Sequence, residues 1–447
     1  SKNNIFFASE VKAFARLPEP FALKCDQSLL SFLSKRPDNQ SVLKSPICCL
    51  PAGHSLTINK ASGVVLKKWW DLEENIPSIK GFGEIELVER FHDLFLSALS
   101  LRTRSDAKIC SSLSGGLDSS SIVSVQAEIL KRVQKPEYKA FIFEYNEKEQ
   151  SELKYALSVC EHAKIPYTLS SHSSASKQLS PQLVADCIFS SEQLNNLQIG
   201  PYFLYQAMQK EGYKVSIDGH GADEILGGYF QFAIPSLADA LVTGGAELFE
   251  ETAQAWRSDD GSYLIDPAFH FQAQKKLIKA RDPRFDGMWM TRKRKKEFQC
   301  KTLPWILNTF DKLPMRHGIE VRSPFLDFRL VSFAFALNNQ SLIAGGYTKK
   351  ILREAFKSYL PDLVLKRKSK KGFLPNKDFL LGSPAIRGMV IDISRSNNFK
   401  ASYFFDGVNA SKAIQNAVQL EDWGAINEFW PLIQTTIFAD EWQKRLP

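Results

Sequence analysis

Apolar positions divide the chain into helix-period and strand-like runs. Leu87, Val88, Phe91, Leu94, Phe95 and Ala98 recur at helical intervals and predict one buried helix face. Residues 107–110 read as a short strand entering a buried sheet, and Ile122, Val123, Val125, Gln126 and Ile129 give the next helix face. Residues 139–144 (KAFIFE) form the second predicted strand, 151–156 begin a helix, 167–170 form a third strand, and 215–217 are a further buried strand. Strands alternating with helices predict an α/β fold with a parallel, doubly wound sheet and ligands at its carboxyl edge. Further on, 237–241, 246–256 and 349–356 read as helices, and the tail through Trp423, Trp430 and Trp442 reads as a helical part closing the domain.

Upstream the pattern changes. Residues 4–13 read as a strand running into a helix capped by Ser9; 50–56 make a turn before a strand, and 66–71 end that region. Residues 80–83 (KGFG) are a linker, which divides the chain into 1–79 and 80–447.

Composition narrows the function classes. The net charge of +8 suits an anionic small molecule but is equally that of a lysine-rich surface, and the densest basic run, 292–296 (RKRKK), has no interleaved aromatics to argue for nucleic acid. No run of ~18 uncharged apolar residues predicts a membrane span. Seven cysteines without C-x-x-C spacing suggest neither zinc nor disulfides, and a cytoplasmic setting fits.

The candidate chemistry centres on 110–121, CSSLSGGLDSSS, placed between a strand and a helix. Gly115 and Gly116 let the backbone approach a ligand, and the helix N-terminus attracts an anion. Ser114, Ser119 and Ser120 add hydroxyl donors, and Asp118 adds a carboxylate for Mg²⁺. No Gly-Lys-[Ser/Thr] follows, so this is not a Walker A loop. The plain alternative is a Ser/Gly-rich helix cap. A second stretch, 214–229 (KVSIDGHGADEILGGY), places Gly219, His220 and Asp223 at the end of another strand, where Asp223 could share the metal with Asp118. His220 could accept a proton from an incoming amine or serve only as a hydrogen-bonding residue. Glu320, Arg322 and Asp327, set among apolar residues, predict an ion-pair cluster. The basic loop 366–375 (KRKSKKGFLP) could fold back over the phosphates or remain a solvated face.

Five ordered motifs carry a resemblance: SGGLDSS at 114–120, DGHGADEILGGY at 218–229, EVRSPFLD at 320–327, KKILREAF at 349–356 and KKGFLP at 370–375. Together they resemble the asparagine synthetase family. The earlier FFASEVKAF, LPAGHSL and WWD resemble the end of a class II glutamine amidotransferase domain, which would make 1–79 a partial, β-rich glutaminase-like segment. In that family an N-terminal cysteine attacks glutamine; residue 1 here is Ser, so glutamine hydrolysis is not assigned to this chain. The resemblance implies a sheet of the ATP-pyrophosphatase type. It also implies ATP and Mg²⁺ as cofactors, and release of AMP and pyrophosphate as a small-molecule or peptide carboxylate is adenylated. Ammonia, glutamine-derived nitrogen or an amine then attacks. Leu113, Ser114, Gly115, Gly116, Asp118, Ser119, Ser120, Phe143 and Gly219 would bind the nucleotide, and Asp118 and Asp223 the metal. Lys370, His220 and Asp311 are the catalytic candidates. Counting back from Phe373 selects Lys370, whereas counting forward from Arg367 lands on Ser369 and leaves Lys368 open. Asparagine synthetases carry Glu at the position of His220 and β-lactam synthetase carries Tyr, so relatives acting on other amines, including lasso-peptide cyclases, stay open. A non-catalytic ATP-binding protein is the alternative of another class.

Overall fold

The computed structural model describes residues 5–18, 24–26, 29–30, 33, 47–60, 63–132, 137–145, 152–194, 197–257, 288–368 and 377–446. A five-stranded sheet positions the site, and a separate ribbon precedes it. β1 (His54–Asn59) and β2 (Gly63–Lys68) pair as an antiparallel ribbon. β3 (Ile109–Ser112), β4 (Lys139–Glu144), β5 (Tyr167–Ser171), β6 (Val215–Ile217) and β7 (Glu320–Arg322) form one sheet in the order β5-β4-β3-β6-β7, parallel throughout. The chain builds outward from β3 through β4 to β5, then returns to lay β6 and β7 on the other side. The crevice between the ends of β3 and β6 is therefore the topological switch point, where an open α/β sheet binds its ligands.

The predicted doubly wound sheet is thus present, with one strand more than the hydrophobic pattern showed. β7 escaped notice because it is three residues long and two of them, Glu320 and Arg322, are charged. Such residues suit an edge strand, where charge blunts the open hydrogen-bonding edge.

Helix Glu84–Arg102 buries Leu87, Phe91, Leu94, Phe95 and Ala98, and Glu86 accepts a 2.7 Å hydrogen bond from the Gly83 N–H at its start. All of these but Ala98 join β3, β6 and helices Leu117–Arg132 and Lys350–Phe356 in one hydrophobic core. A second core lies among the C-terminal helices, where Phe399, Ile414, Ile433, Phe438 and Trp442 pack with Val184 and Ile188. Ala15, Leu29, Leu30 and Ile47 of the N-terminal segment belong to this second core.

The opening departs from expectation. No strand forms over residues 5–8, and the helix is a 3₁₀ turn, Val11–Arg16, preceded by Glu10 rather than capped by Ser9. Among the described residues it pairs with no strand; instead the Val11 and Lys12 N–H groups donate to the Glu192 carboxylate at 3.2 and 2.6 Å. The stretch Ala222–Gln254 is long and apolar enough to cross a membrane by composition alone. It is interrupted by Gly227 at φ +69° and Gly245 at φ +66°, so it is no continuous helix.

Candidate active site

β3 ends at Ser112, and the chain must turn sharply to enter helix Leu117–Arg132. Gly115 makes the turn at φ +75°, and a Cβ there would stand 2.6 Å from the Ala156 nitrogen. Only glycine fits. The Ser119 hydroxyl ties the turn together: it accepts from the Ser114 N–H at 3.2 Å and donates to the Gly116 carbonyl at 3.2 Å. The Ser114 and Ser119 hydroxyls lie 3.1 Å apart. The result is a preformed loop at a helix N-terminus, suited to an anion.

The β6 loop packs against it. A Cβ on Gly219 would lie 3.2 Å from the Asp118 Cβ, so the two segments pack closely and a side chain there would crowd Asp118. Asp223 stands in the short helix Ala222–Leu226 that follows. Between the two carboxylates sits the ammonium of Lys349, 2.6 and 2.7 Å from the Asp118 oxygens and 2.6 Å from Asp223 Oδ1. All three side chains are buried. Two hard-oxygen carboxylates converging on one point suit Mg²⁺, which usually takes one or two protein carboxylates and completes its shell with water and phosphate oxygens.

Asp218, also buried, holds the base of the second loop. It accepts from the Ser112 N–H at 3.2 Å, the Ser216 hydroxyl at 2.6 Å and the Tyr205 hydroxyl at 2.8 Å. Burial, then the Asp218 charge, pushes the Tyr205 pKa well above its ordinary value, which keeps that phenol a donor. His220 Nε2 lies 3.8 Å from Asp218 Oδ2, an electrostatic contact beyond hydrogen-bond length. Its ring rests on Phe310, with centroids 4.3 Å apart.

Most of the residues expected from sequence thus come together: Ser114, Gly115, Gly116, Asp118, Ser119, Gly219, His220 and Asp223 gather at the ends of β3 and β6. Ser120 and Leu113 are buried, and the Leu113 N–H donates to the Phe141 carbonyl at 2.8 Å. Phe143 is half-buried with its ring edge-on to Tyr145 at 4.8 Å. Asp311 is exposed on helix Thr302–Met315, one residue beyond Phe310. Lys370 lies outside the described residues. Lys368 rests over the Tyr347 ring, 5.1 Å from its centroid, with its ammonium 3.5 Å from the Gln254 carbonyl.

Two residues went unassigned in the sequence. Lys349 lay inside a quoted motif, yet nothing local shows that its side chain meets Asp118. Arg367, read as part of a basic run, donates to the Gly115 carbonyl at 3.0 Å, pairs with Glu152 and stacks on Tyr155 at 4.2 Å.

Residues 90–444 match the asparagine synthase family. The chain is 25% identical over 385 residues to asparagine synthetase [glutamine-hydrolyzing] 3 of Bacillus subtilis, covering 82% of this chain and 61% of that protein. It is 22% identical over 506 residues to amidase chry2 of Gibberella zeae, covering 98% and 74%. Among solved structures, the NH3-dependent NAD synthetase from Campylobacter jejuni aligns with 49% of this chain and 96% of its own, at TM-score 0.24 and 17% identity. The chain spans about three fifths of the length of the two B. subtilis synthetases it matches, 61% and 62%. With the family match running from the helix before β3 to the last helix, the chain belongs to the asparagine synthase family.

Proposed function

We propose that this chain is an ATP-dependent amide ligase that adenylates a substrate carboxylate and passes the acyl group to a nitrogen nucleophile. The observation that carries this reading is the convergence of Asp118, Asp223 and Lys349 beside the Ser114–Ser119 turn at the switch point of the sheet. A carboxylate oxygen attacks the α-phosphorus of ATP, the bond to the β-phosphate breaks, and pyrophosphate leaves. The nitrogen then attacks the acyl carbon, and AMP departs with the electron pair of the C–O bond.

The turn at Ser114, Gly115, Gly116 and Ser119 holds the pyrophosphate portion, with Arg367 bracing it through the Gly115 carbonyl. Asp118 and Asp223 would hold Mg²⁺, which supplies charge stabilisation on the phosphate oxygens. Lys370, three residues after Arg367 in the sequence, would meet charge developing at the α-phosphate. Lys368 is engaged at Tyr347 and Gln254, which favours Lys370 for that role. His220, backed by Asp218, takes the proton the attacking nitrogen must lose. Residues 1–79 are the end of a glutaminase-like domain and 80–447 the ligase domain. The match to amidase chry2, which covers 98% of the chain, supports a relationship that extends into the N-terminal segment.

A second reading gives the nucleophile as an amine, on the same or another molecule, rather than ammonia. The histidine at position 220 favours it, because an alkylammonium must be deprotonated before it attacks. The test is pyrophosphate–ATP exchange screened over carboxylates, with product analysis. Release of AMP and pyrophosphate is expected, and ADP as the only nucleotide product would overturn the reading.

A further inference from the structure

Lys349 is held in its place by unusual means. It has φ +54° and ψ +40°, a left-handed conformation that residues with a Cβ rarely adopt. Opposite it, a Cβ on Gly228 would come within 2.6 Å of the Lys349 ammonium, so only glycine leaves room for the side chain to pass. Lys349, Asp118 and Asp223 are 4%, 7% and 8% exposed, so the ammonium is largely shielded from bulk water. Backbone strain clusters where a residue is held for function.

We infer that Lys349 stands in for the divalent cation when no nucleotide is bound, so that metal enters this site only together with the nucleotide. The inference rests on the adenylating function proposed above. With Lys349 between them, the two carboxylates carry a net charge of about −1, and the position a metal would take is filled by an ammonium donating to both. A metal ion arriving alone must expel that ammonium from two buried carboxylate partners, which is costly. A triphosphate changes the balance: its oxygens complete the metal's shell and also accept the displaced ammonium. The site is thereby closed to free divalent cations, and metal and nucleotide load as one unit.

Mn²⁺ binding followed by electron paramagnetic resonance tests this without any turnover. The proteins are wild type, Lys349→Met and Lys349→Arg, each with and without α,β-methylene ATP, and circular dichroism checks folding. Wild type and Lys349→Arg are expected to bind Mn²⁺ at this site only with the nucleotide. Lys349→Met is expected to bind it without nucleotide at least ~10-fold more tightly than wild type, a difference of about 1.4 kcal/mol. Wild type binding Mn²⁺ alone as tightly as Lys349→Met would overturn the inference and leave the proposed function standing. Were Lys349→Met to fold poorly, wild type taking up Mn²⁺ equally well with and without nucleotide would overturn it too. No Mn²⁺ uptake by wild type even with nucleotide would overturn the proposed function itself.

Discussion

His220 faces a buried carboxylate on one side and lies against Phe310 on the other, so its orientation is fixed before any substrate arrives. If it serves as the base, its loss matters most for nucleophiles that arrive as ammonium ions and must lose a proton before they can attack at all. His220→Ala is expected to lower amide formation with alkylamines by ~100-fold while pyrophosphate exchange persists. Hydroxylamine, uncharged at neutral pH, should be affected far less. Asp218→Asn should show the same selectivity in weaker form; equal losses with both nucleophiles would remove His220 from the chemistry. Asp118→Asn and Asp223→Asn differ in kind. Each leaves Lys349 with one remaining carboxylate partner, a neutral pair, so the fold should persist while exchange falls by ~100-fold or more. Wild-type exchange in either variant would reduce that carboxylate to a cap. Both aspartates stood out in the sequence because each follows a glycine-rich turn after a strand, in the first turn of the next helix. The role of Lys349 did not, because its contact with Asp118 spans 231 residues.

At the scale of elements, the phosphate turn depends on a loop far along the chain. Arg367 grips the Gly115 carbonyl, Glu152 and the face of Tyr155 at once, a geometry that needs a planar, forked cation. Arg367→Lys is therefore expected to raise the KM for ATP about as much as Arg367→Ala, by ~10-fold; full rescue by lysine would mean that charge alone matters. The ion-pair cluster expected of Glu320, Arg322 and Asp327 divides in two at edge strand β7 and just after it. Asp327 accepts from Arg329 Nε and Nη2 at 2.9 Å and from Arg102 Nη1 at 3.0 Å, while Arg322 pairs with Glu320. Burial raises the Asp327 pKa, but the hydrogen bonds from Arg329 and Arg102 outweigh it and hold the pKa below its ordinary value. A carboxylate depressed in the folded state contributes stability above its unfolded pKa, near ~3.9, and loses it as pH falls through the folded value. In urea titrations Asp327→Asn should cost about 2 kcal/mol at neutral pH, and the gap to wild type should close below pH ~4. A gap independent of pH would assign the cost to packing. The sequence suggested that these charges were paired, but not that Asp327 takes Arg102 and Arg329 as partners, nor that Glu320 and Arg322 belong to the fifth strand, since three residues carry no period.

Across the whole molecule, the N-terminal segment is fastened to the rest of the chain by a buried carboxylate, beside the Lys12 ammonium that donates to the Ser190 carbonyl at 3.0 Å. Glu192 is fully buried and takes the left-handed conformation at φ +50°, immediately after helix Pro181–Ser191. It accepts the Val11 and Lys12 N–H groups that open the 3₁₀ turn and pairs with the buried Lys312 ammonium at 2.5 Å. No sequence pattern announced this, because the three partners lie at positions 11–12, 192 and 312 and each looks like an ordinary surface charge. Glu192→Gln keeps an acceptor oxygen for the backbone but leaves Lys312 buried without its counter-charge, which is costlier than removing both charges. The single variant should lose about 3 kcal/mol in urea unfolding, and adding Lys312→Met should recover part of that loss. Lys312 lies two residues beyond Phe310 on helix Thr302–Met315, and the Phe310 ring supports His220. The latch is therefore coupled to the chemistry: Glu192→Gln should make residues 5–18 more sensitive to limited proteolysis and should also weaken discrimination between alkylamine and hydroxylamine. Increased proteolysis with unchanged discrimination would confine the latch to stability. No change in either would show that the N-terminal segment is held by the hydrophobic contacts of Ala15, Leu29, Leu30 and Ile47 alone.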